Sequence, residues 1–353
     1  MLGRDGQLAL PWLAPLLRRT LESQRGHALL LHGPQGVGQF ELALTIAQAW
    51  LCEAADAPAR PCGVCASCRL TQAHAHPDLL VLLPEALQEP LGWAAAESED
   101  GASERVSKTK QPSKDIKVEA VRAAVNFAQT TSARGRAKVV VLHPAERMNA
   151  VSANTLLKTL EEPPGAARFV LSSAAPDVLL PTIRSRCQSV ALPLPARDQA
   201  AAWLAELGIV DPGVLLAATG GQPQEALAWA QQGIAAELWR RVPALVCQGA
   251  AAAFAGWPLV RLVDALQKLC HDAACQAAGA APRYFPAEAV PAGADPVALN
   301  GWMRELNRVA RHAEHPWNAA LMAEALIQQG RHALAVVAPR GAPERNTSVH
   351  FAR

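Results

Sequence analysis

The sequence predicts an α/β module, a mainly parallel sheet flanked by helices, followed by an all-α region. Three observations carry that reading. Short apolar runs alternate with helix-period segments over the first half of the 353 residues, the pattern of parallel βαβ units. After about Pro181 the strand signals largely cease while helical spacing of apolar residues continues. Alanine and leucine dominate a chain that is 50% hydrophobic, with only nine Trp, one Tyr and six Phe. That balance favours helices over a sandwich or barrel.

The elements follow in order. Ala28–His32 (ALLLH) reads as the first strand and ends in a glycine-rich turn, Gly33–Gly38. Phe40–Leu51 has helical spacing, with Leu42, Ile46, Ala49 and Trp50 toward a core. A cysteine-rich segment, Cys52–Cys68, precedes a second apolar run at Asp78–Leu83. In residues 84–114, Pro, Gly, Ser, Glu and Lys replace the apolar periodicity, which predicts a solvated, at least partly disordered insertion. Ile116–Gln129 reads as an amphipathic helix capped by Ser113 or Asp115, and Lys138–Leu142 as a buried strand. Asn149–Glu162 is a helix stopped by Pro163-Pro164, and Phe169–Ser172 the next strand. Leu192–Pro195 reads as a linker. Helices are then expected at Arg197–Leu207, Pro212–Ala218 and Gln224–Gly233, and through a Gly/Pro-interrupted region, Leu238–Ala338.

The formal net charge is +2, so any nucleic-acid contact must come from a local patch or from partners. No apolar run approaches the roughly 18–20 residues that span a bilayer. At the N-terminus, Asp5, Pro11 and an arginine pair that follows the apolar stretch do not make a secretory signal. The expected location is cytoplasmic, with no membrane partner.

The turn Gly33-Pro34-Gln35-Gly36-Val37-Gly38-Gln39-Phe40 lies between a strand and a helix, as a phosphate-binding loop of the form G-x-x-x-x-G-K-[ST] requires. In such a loop backbone N–H groups wrap the phosphates, the lysine reaches the β/γ oxygens and the hydroxyl binds Mg²⁺. Gly33 and Gly38 keep the frame. Gln39 replaces the cation and Phe40 the hydroxyl. His143 stands at the end of the Lys138–Leu142 strand, where a magnesium-binding Asp is expected. These three losses predict no ATP hydrolysis by this chain. A glycine turn joining strand to helix is an adequate structural account, and weak binding through backbone N–H groups stays open.

Several motifs together resemble those of bacterial clamp-loader subunits of the AAA+ superfamily, and most closely their delta prime family. They are His27–Pro34, the cysteine cluster, Asn154–Pro164 (NTLLKTLEEPP) and Arg184-Ser185-Arg186-Cys187. An eroded phosphate loop beside an intact Ser-Arg-Cys is the telling combination. The resemblance covers about residues 10–230. It implies an AAA+ domain over 1–180, carrying a zinc module at 52–68 and the insertion at 84–114. A helical lid over 181–236, a helical collar over 237–340 and a tail at 341–353 would follow. It also implies a ring of five with gamma/tau and delta subunits, which loads a sliding clamp onto primed DNA. ATP would then be held only by neighbouring subunits. Arg186 would point in trans at that ATP, where a guanidinium on the γ-phosphate offsets transition-state charge. Arg184 reads as structural, and Ser172-Ser173 as inherited scaffold. Gly220-Gly221-Gln222-Pro223 lacks the sensor arginine of active relatives.

Cys52, Cys62, Cys65 and Cys68 give C-x9-C-x2-C-x2-C. Four thiolates at this spacing, without an export signal, predict a closed structural zinc site with no open position for water. His74 and His76 are read as surface histidines. Cys187, Cys247, Cys270 and Cys275 are read as small buried hydrophobes.

Residues 104–138 hold nine bases (Arg105, Lys108, Lys110, Lys114, Lys117, Arg122, Arg134, Arg136, Lys138) against three acids. A phosphate-contacting face and a solvated face that counters the acids before it both fit. Without interleaved aromatics, a stacking platform for single strands is not expected. The competing classes are an active AAA+ ATPase of the gamma/tau type and a zinc-dependent nucleic-acid adaptor.

Overall fold

In the computed structural model five strands form one parallel sheet: β1 (Ala28–His32), β2 (Leu79–Leu82), β3 (Val139–Leu142), β4 (Arg168–Ser173) and β5 (Gln188–Ala191), in the order β2-β3-β4-β1-β5. The structure describes residues 1–56, 60–93, 112–312 and 318–335. The apolar runs of β1, β3 and β4 are buried almost throughout, as strands covered on both faces must be. The helices of this unit are α1 (Leu13–Ser23), α2 (Gln39–Leu51), α3 (Ala66–Gln72), α4 (Glu85–Gln88), α5 (Val118–Gln129), α6 (Ala150–Glu161) and α7 (Pro181–Arg184). On one face Val140, Leu142, Phe169 and Leu171 pack with Val121 and Ala124 of α5 and Leu156 and Leu160 of α6. The α/β expectation therefore stands.

The chain parts into two compact units, 1–196 and 197–353. Among its described residues the second has helices and no strand: α8 (Arg197–Glu206), α9 (Pro212–Ala218), α10 (Pro223–Gln231), α11 (Ala236–Gln248), α12 (Leu259–Ala277), α13 (Pro296–Arg311) and α14 (Ala319–Ala333). Trp239 of α11 is fully buried, stacked on Phe285 at 4.4 Å, and Trp302 of α13 is buried beside α14. Ala218, Trp229 and Ile234 share one core cluster with these tryptophans. Asp272 of α12 is buried, and its carboxylate accepts from the backbone N–H groups of Arg283, Tyr284 and Phe285, which pins that loop. Among the described residues no helix is long and apolar enough to cross a membrane.

Several expectations are corrected. The strands do not end at Pro181: β5 pairs in parallel with β1 and carries the first unit to residue 196. Helix α5 starts two residues late, its N-cap is Lys117, and Ile116 forms a parallel bridge with Met148. The start of the expected insertion is ordered: α4 lies there, and Glu85 accepts from Ser113 N (2.9 Å) and pairs with Lys117 Nζ (2.5 Å). The rest of that insertion, 94–111, and the tail, 341–353, lie outside the described residues.

Candidate functional site

The glycine turn runs from the end of β1 into α2 and is filled by the protein itself. A Cβ on Gly33 would lie 2.2 Å from the Leu192 carbonyl oxygen. Gly38 caps α2 at φ 103°, and a Cβ there would meet Leu10 at 2.5 Å and Leu13 at 3.0 Å. Trp12 Nε1 donates to Val37 O (2.8 Å), so residues 10–13 close over the turn. The buried Gln39 amide donates back to Gly33 O (2.8 Å) and Pro34 O (2.6 Å).

Beside it, Phe40 at the start of α2 and His143 just after β3 join two rings from the segments after α3 and α4. Phe40 stacks on His143 at 4.8 Å and meets Trp93 edge-on at 6.5 Å, while Trp93 stacks on His74 at 3.9 Å. His143 Nδ1 lies 2.9 Å from Ser172 Oγ, which donates to Leu142 O (3.3 Å). That leaves the serine oxygen to accept from a neutral imidazole protonated at Nδ1. Burial pushes the His143 pKa down to about 4, so the ring is uncharged at neutral pH. Where a phosphate loop offers a cation, a hydroxyl and a carboxylate, these positions present an amide turned inward, a benzyl ring and a neutral imidazole.

The cysteine cluster is brought together as expected. Cys52 follows α2, Cys65 caps α3 with its sulfur accepting from Cys68 N (3.4 Å), and Cys68 lies in the first turn. All four sulfurs lie within 4.8 Å of one another, with Cys52–Cys65 at 3.9 Å and Cys62–Cys68 at 4.0 Å. A tetrahedron with metal–sulfur bonds of about 2.3 Å has edges of about 3.8 Å, so the four could hold one metal ion. None is in a disulfide. Backbone N–H groups, first that of Val64, pull the Cys62 thiol down to about 6. Gly63 has φ 75°, and a Cβ there would lie 2.6 Å from Gly3 O, so the N-terminal residues lie tight against the cluster.

A polar chain ties this module to the sheet. Arg134 Nε donates to Glu53 (2.8 Å), Ser67 Oγ donates to Glu53 (3.0 Å), and His76 Nε2 lies 3.1 Å from that hydroxyl. His76 Nδ1 accepts from Asp78 N (3.0 Å). His76 is thus buried, not a surface residue, and burial lowers its pKa. The Asp78 carboxylate accepts from Ala133 N (2.7 Å) and Arg134 N (2.9 Å) and pairs with Lys138 Nζ (3.0 Å). Of the nine bases between 104 and 138, Lys117, Arg134 and Lys138 therefore have carboxylate partners, and Arg105, Lys108 and Lys110 lie outside the described residues. Cys187 and Cys270 are buried as expected, whereas Cys247 and Cys275 are half-buried, the latter 3.8 Å from His271 Nδ1.

Arg186 follows α7. Its NH1 donates to Thr182 O (2.9 Å) and Ser185 Oγ (3.3 Å), and its NH2 pairs with Glu161, the last residue of α6. The side chain remains about 32% exposed. Cys187 anchors the segment in the core, and burial pushes its thiol up to about 12, so it is an inert packing group. Arg184 pairs with Asp177 at 2.9 Å.

A family model described as "DNA polymerase III, delta subunit" matches residues 11–195. The DNA polymerase III subunit delta' of Pseudomonas aeruginosa is 39% identical over 216 residues, 60% of this chain and 58% of that protein. The Escherichia coli subunit delta' is 33% identical over 225 residues, 62% and 60% of the two chains. The chain belongs to the DNA polymerase III delta prime family. It spans about three fifths of the length of those relatives. Another relative is the Escherichia coli DNA polymerase III subunit tau, 34% identical over 161 residues, 46% of this chain and 20% of that protein. A solved gamma subunit-related protein of Thermotoga maritima is 18% identical, with a TM-score of 0.48, over 91% of this chain and 99% of that one.

For this delta prime chain, sequence reasoning finds the cysteines, the altered loop and Arg186. It misses what each altered residue touches. Gln39 meets the turn's own carbonyls, Phe40 meets His143 just after β3 and Trp93, and Arg186 meets α6 and the end of α7. Only Glu161, inside the Leu-Glu-Glu-Pro-Pro motif, leaves a signal, and in the sequence that signal carries resemblance alone.

Proposed function

We propose that the chain is a non-hydrolysing delta prime subunit of the clamp loader. It would assemble with gamma/tau and delta subunits in the cytoplasm and help load the sliding clamp onto primed DNA. The observation that supports this most is the self-filled phosphate loop. Gln39 satisfies the turn's carbonyls, Phe40 and His143 fill the space beside it, and residues 10–13 cover it. Neither loop position that would act on a bound phosphate, 39 or 40, offers a cation or a metal-binding hydroxyl. The four cysteines would hold a structural zinc ion, which supplies a fixed tetrahedral crosslink and leaves no open coordination position.

The chain's chemical contribution would be Arg186. Placed on the γ-phosphate of ATP held by a neighbour, a guanidinium stabilises the charge that develops during transfer, an effect of about 10³–10⁵ in rate for arginine fingers. The test is ATP turnover by the reconstituted loader with clamp and primed DNA, wild type against Arg186→Ala. Assembly is verified on the same samples by size-exclusion chromatography. A large loss in an intact complex is expected. Unchanged turnover in an intact complex would reduce the subunit to a structural cap.

A further inference from the structure

The geometry points to Glu161 as the positioning residue for Arg186, and the inference rests on the trans role proposed above. Helix α6 is stopped by Pro163-Pro164, which leaves the Glu161 carboxylate on its last turn, facing the segment after α7. That carboxylate takes NH2 of Arg186, while Thr182 O and Ser185 Oγ take NH1. Two different nitrogens are thereby fixed by two different helices. One anchor would let the guanidinium swivel about its own bond; two on separate elements set the direction of its plane. The C-terminal end of α6 adds a favourable dipole for a cation at the same place.

The arrangement is not a closed pair. The Arg186 side chain stays about 32% exposed and that of Glu161 about 46%, so the pair sits at the surface rather than in the core. Arg186 Nε is buried and has no partner among the described residues, so the pose does not satisfy the arginine within its own fold. A group held in place before its ligand arrives contributes to rate by avoiding reorganisation. The Leu-Glu-Glu-Pro-Pro motif thereby gains a mechanical reason for its order, since it ends a helix where one glutamate can aim an arginine at an adjacent subunit's phosphate.

Steady-state ATP turnover by the intact loader, with clamp and primed DNA, tests this with Arg186→Ala, Glu161→Ala, Glu161→Gln and the double alanine variant. Glu161→Ala is expected to lower kcat about 3- to 5-fold, the size of one partly exposed ion pair, with the KM for ATP unmoved. Glu161→Gln keeps an oxygen acceptor and is expected to stay within about 2-fold of wild type. The double variant should fall no further than Arg186→Ala, because the two side chains act as one unit. Unchanged or raised turnover in Glu161→Ala, or additive losses in the double variant, would overturn the positioning role while leaving the trans arginine standing. A neutral Arg186→Ala would overturn both.

Discussion

Restoring the missing phosphate-loop residues should damage this protein rather than revive an ATPase. Consider Gln39→Lys combined with Phe40→Thr, which rebuilds G-x-x-x-x-G-K-T on the present backbone. Phe40 is only 6% exposed and packs between His143 and Trp93. Removing most of a buried phenyl ring costs on the order of 3–5 kcal/mol, because the lining relaxes only partly. Little offsets that loss, since the new hydroxyl would face a neutral imidazole held by Ser172. With a urea m-value of about 2 kcal/mol/M, the midpoint of the first unfolding transition should fall by about 1.5–2.5 M. The assay pairs urea unfolding, followed by tryptophan fluorescence, with MgATP binding and turnover. A variant that unfolds within about 0.5 M of wild type and hydrolyses ATP would refute the reasoning. The loop would then be an open site, lacking only its two chemical residues.

Two further outcomes are expected. Metal analysis of protein purified without chelator should find one zinc per chain; Cys65→Ser should lose it and show a lower melting temperature, whereas a metal-free wild type with unchanged melting would remove the structural role. The second concerns pH. His143 is held down to about 4 by burial, so an unfolded chain takes up its proton near 6.5 while the folded one does not. Stability should therefore be full above about pH 6.5 and fall by about 2–3 kcal/mol as pH drops toward 4. His143→Phe, which can still stack on Phe40, should flatten that slope in urea titrations, and an unaltered slope would place the titration elsewhere.

What can be read from the sequence, and what cannot, follows from how each element is buried. Strands β1 and β3 are covered on both faces, so ALLLH and VVVL appear as continuous apolar runs. Strand β5 lies at the sheet edge, and only Val190 of its four residues is buried, so Gln-Ser-Val-Ala carries no such signal. Helix α3 is hidden because its first turn is built from metal-type cysteines, one of which serves as its cap. Asn149, by contrast, is a visible helix start, and its side chain does accept from Ser152 N (2.9 Å). The cysteine set can be found because close spacing confines its geometry. His76 escapes sequence reasoning because the pair that buries it, Ser67 and Asp78, belongs to a network closed only by the tertiary fold.

The same distinction bears on what the retained glycines mean. Gly33 and Gly38 keep the frame of a phosphate loop in which Gln39 and Phe40 stand at the lysine and hydroxyl positions. Their surroundings give a sufficient reason: the Leu192 carbonyl leaves no room for a side chain at 33, and Leu10 and Leu13 leave none at 38, where φ is also positive. Packing alone keeps the motif's outline. Arg186 presents the opposite case. Its ion pair is partly exposed and so adds little to stability, while its buried Nε goes unmatched. Its NH1 and NH2 are nonetheless held by Thr182, Ser185 and Glu161, so its pose is fixed by two helices. The outline of the phosphate loop thus has a packing reason, while the role of Arg186 is decided by turnover in the assembled loader.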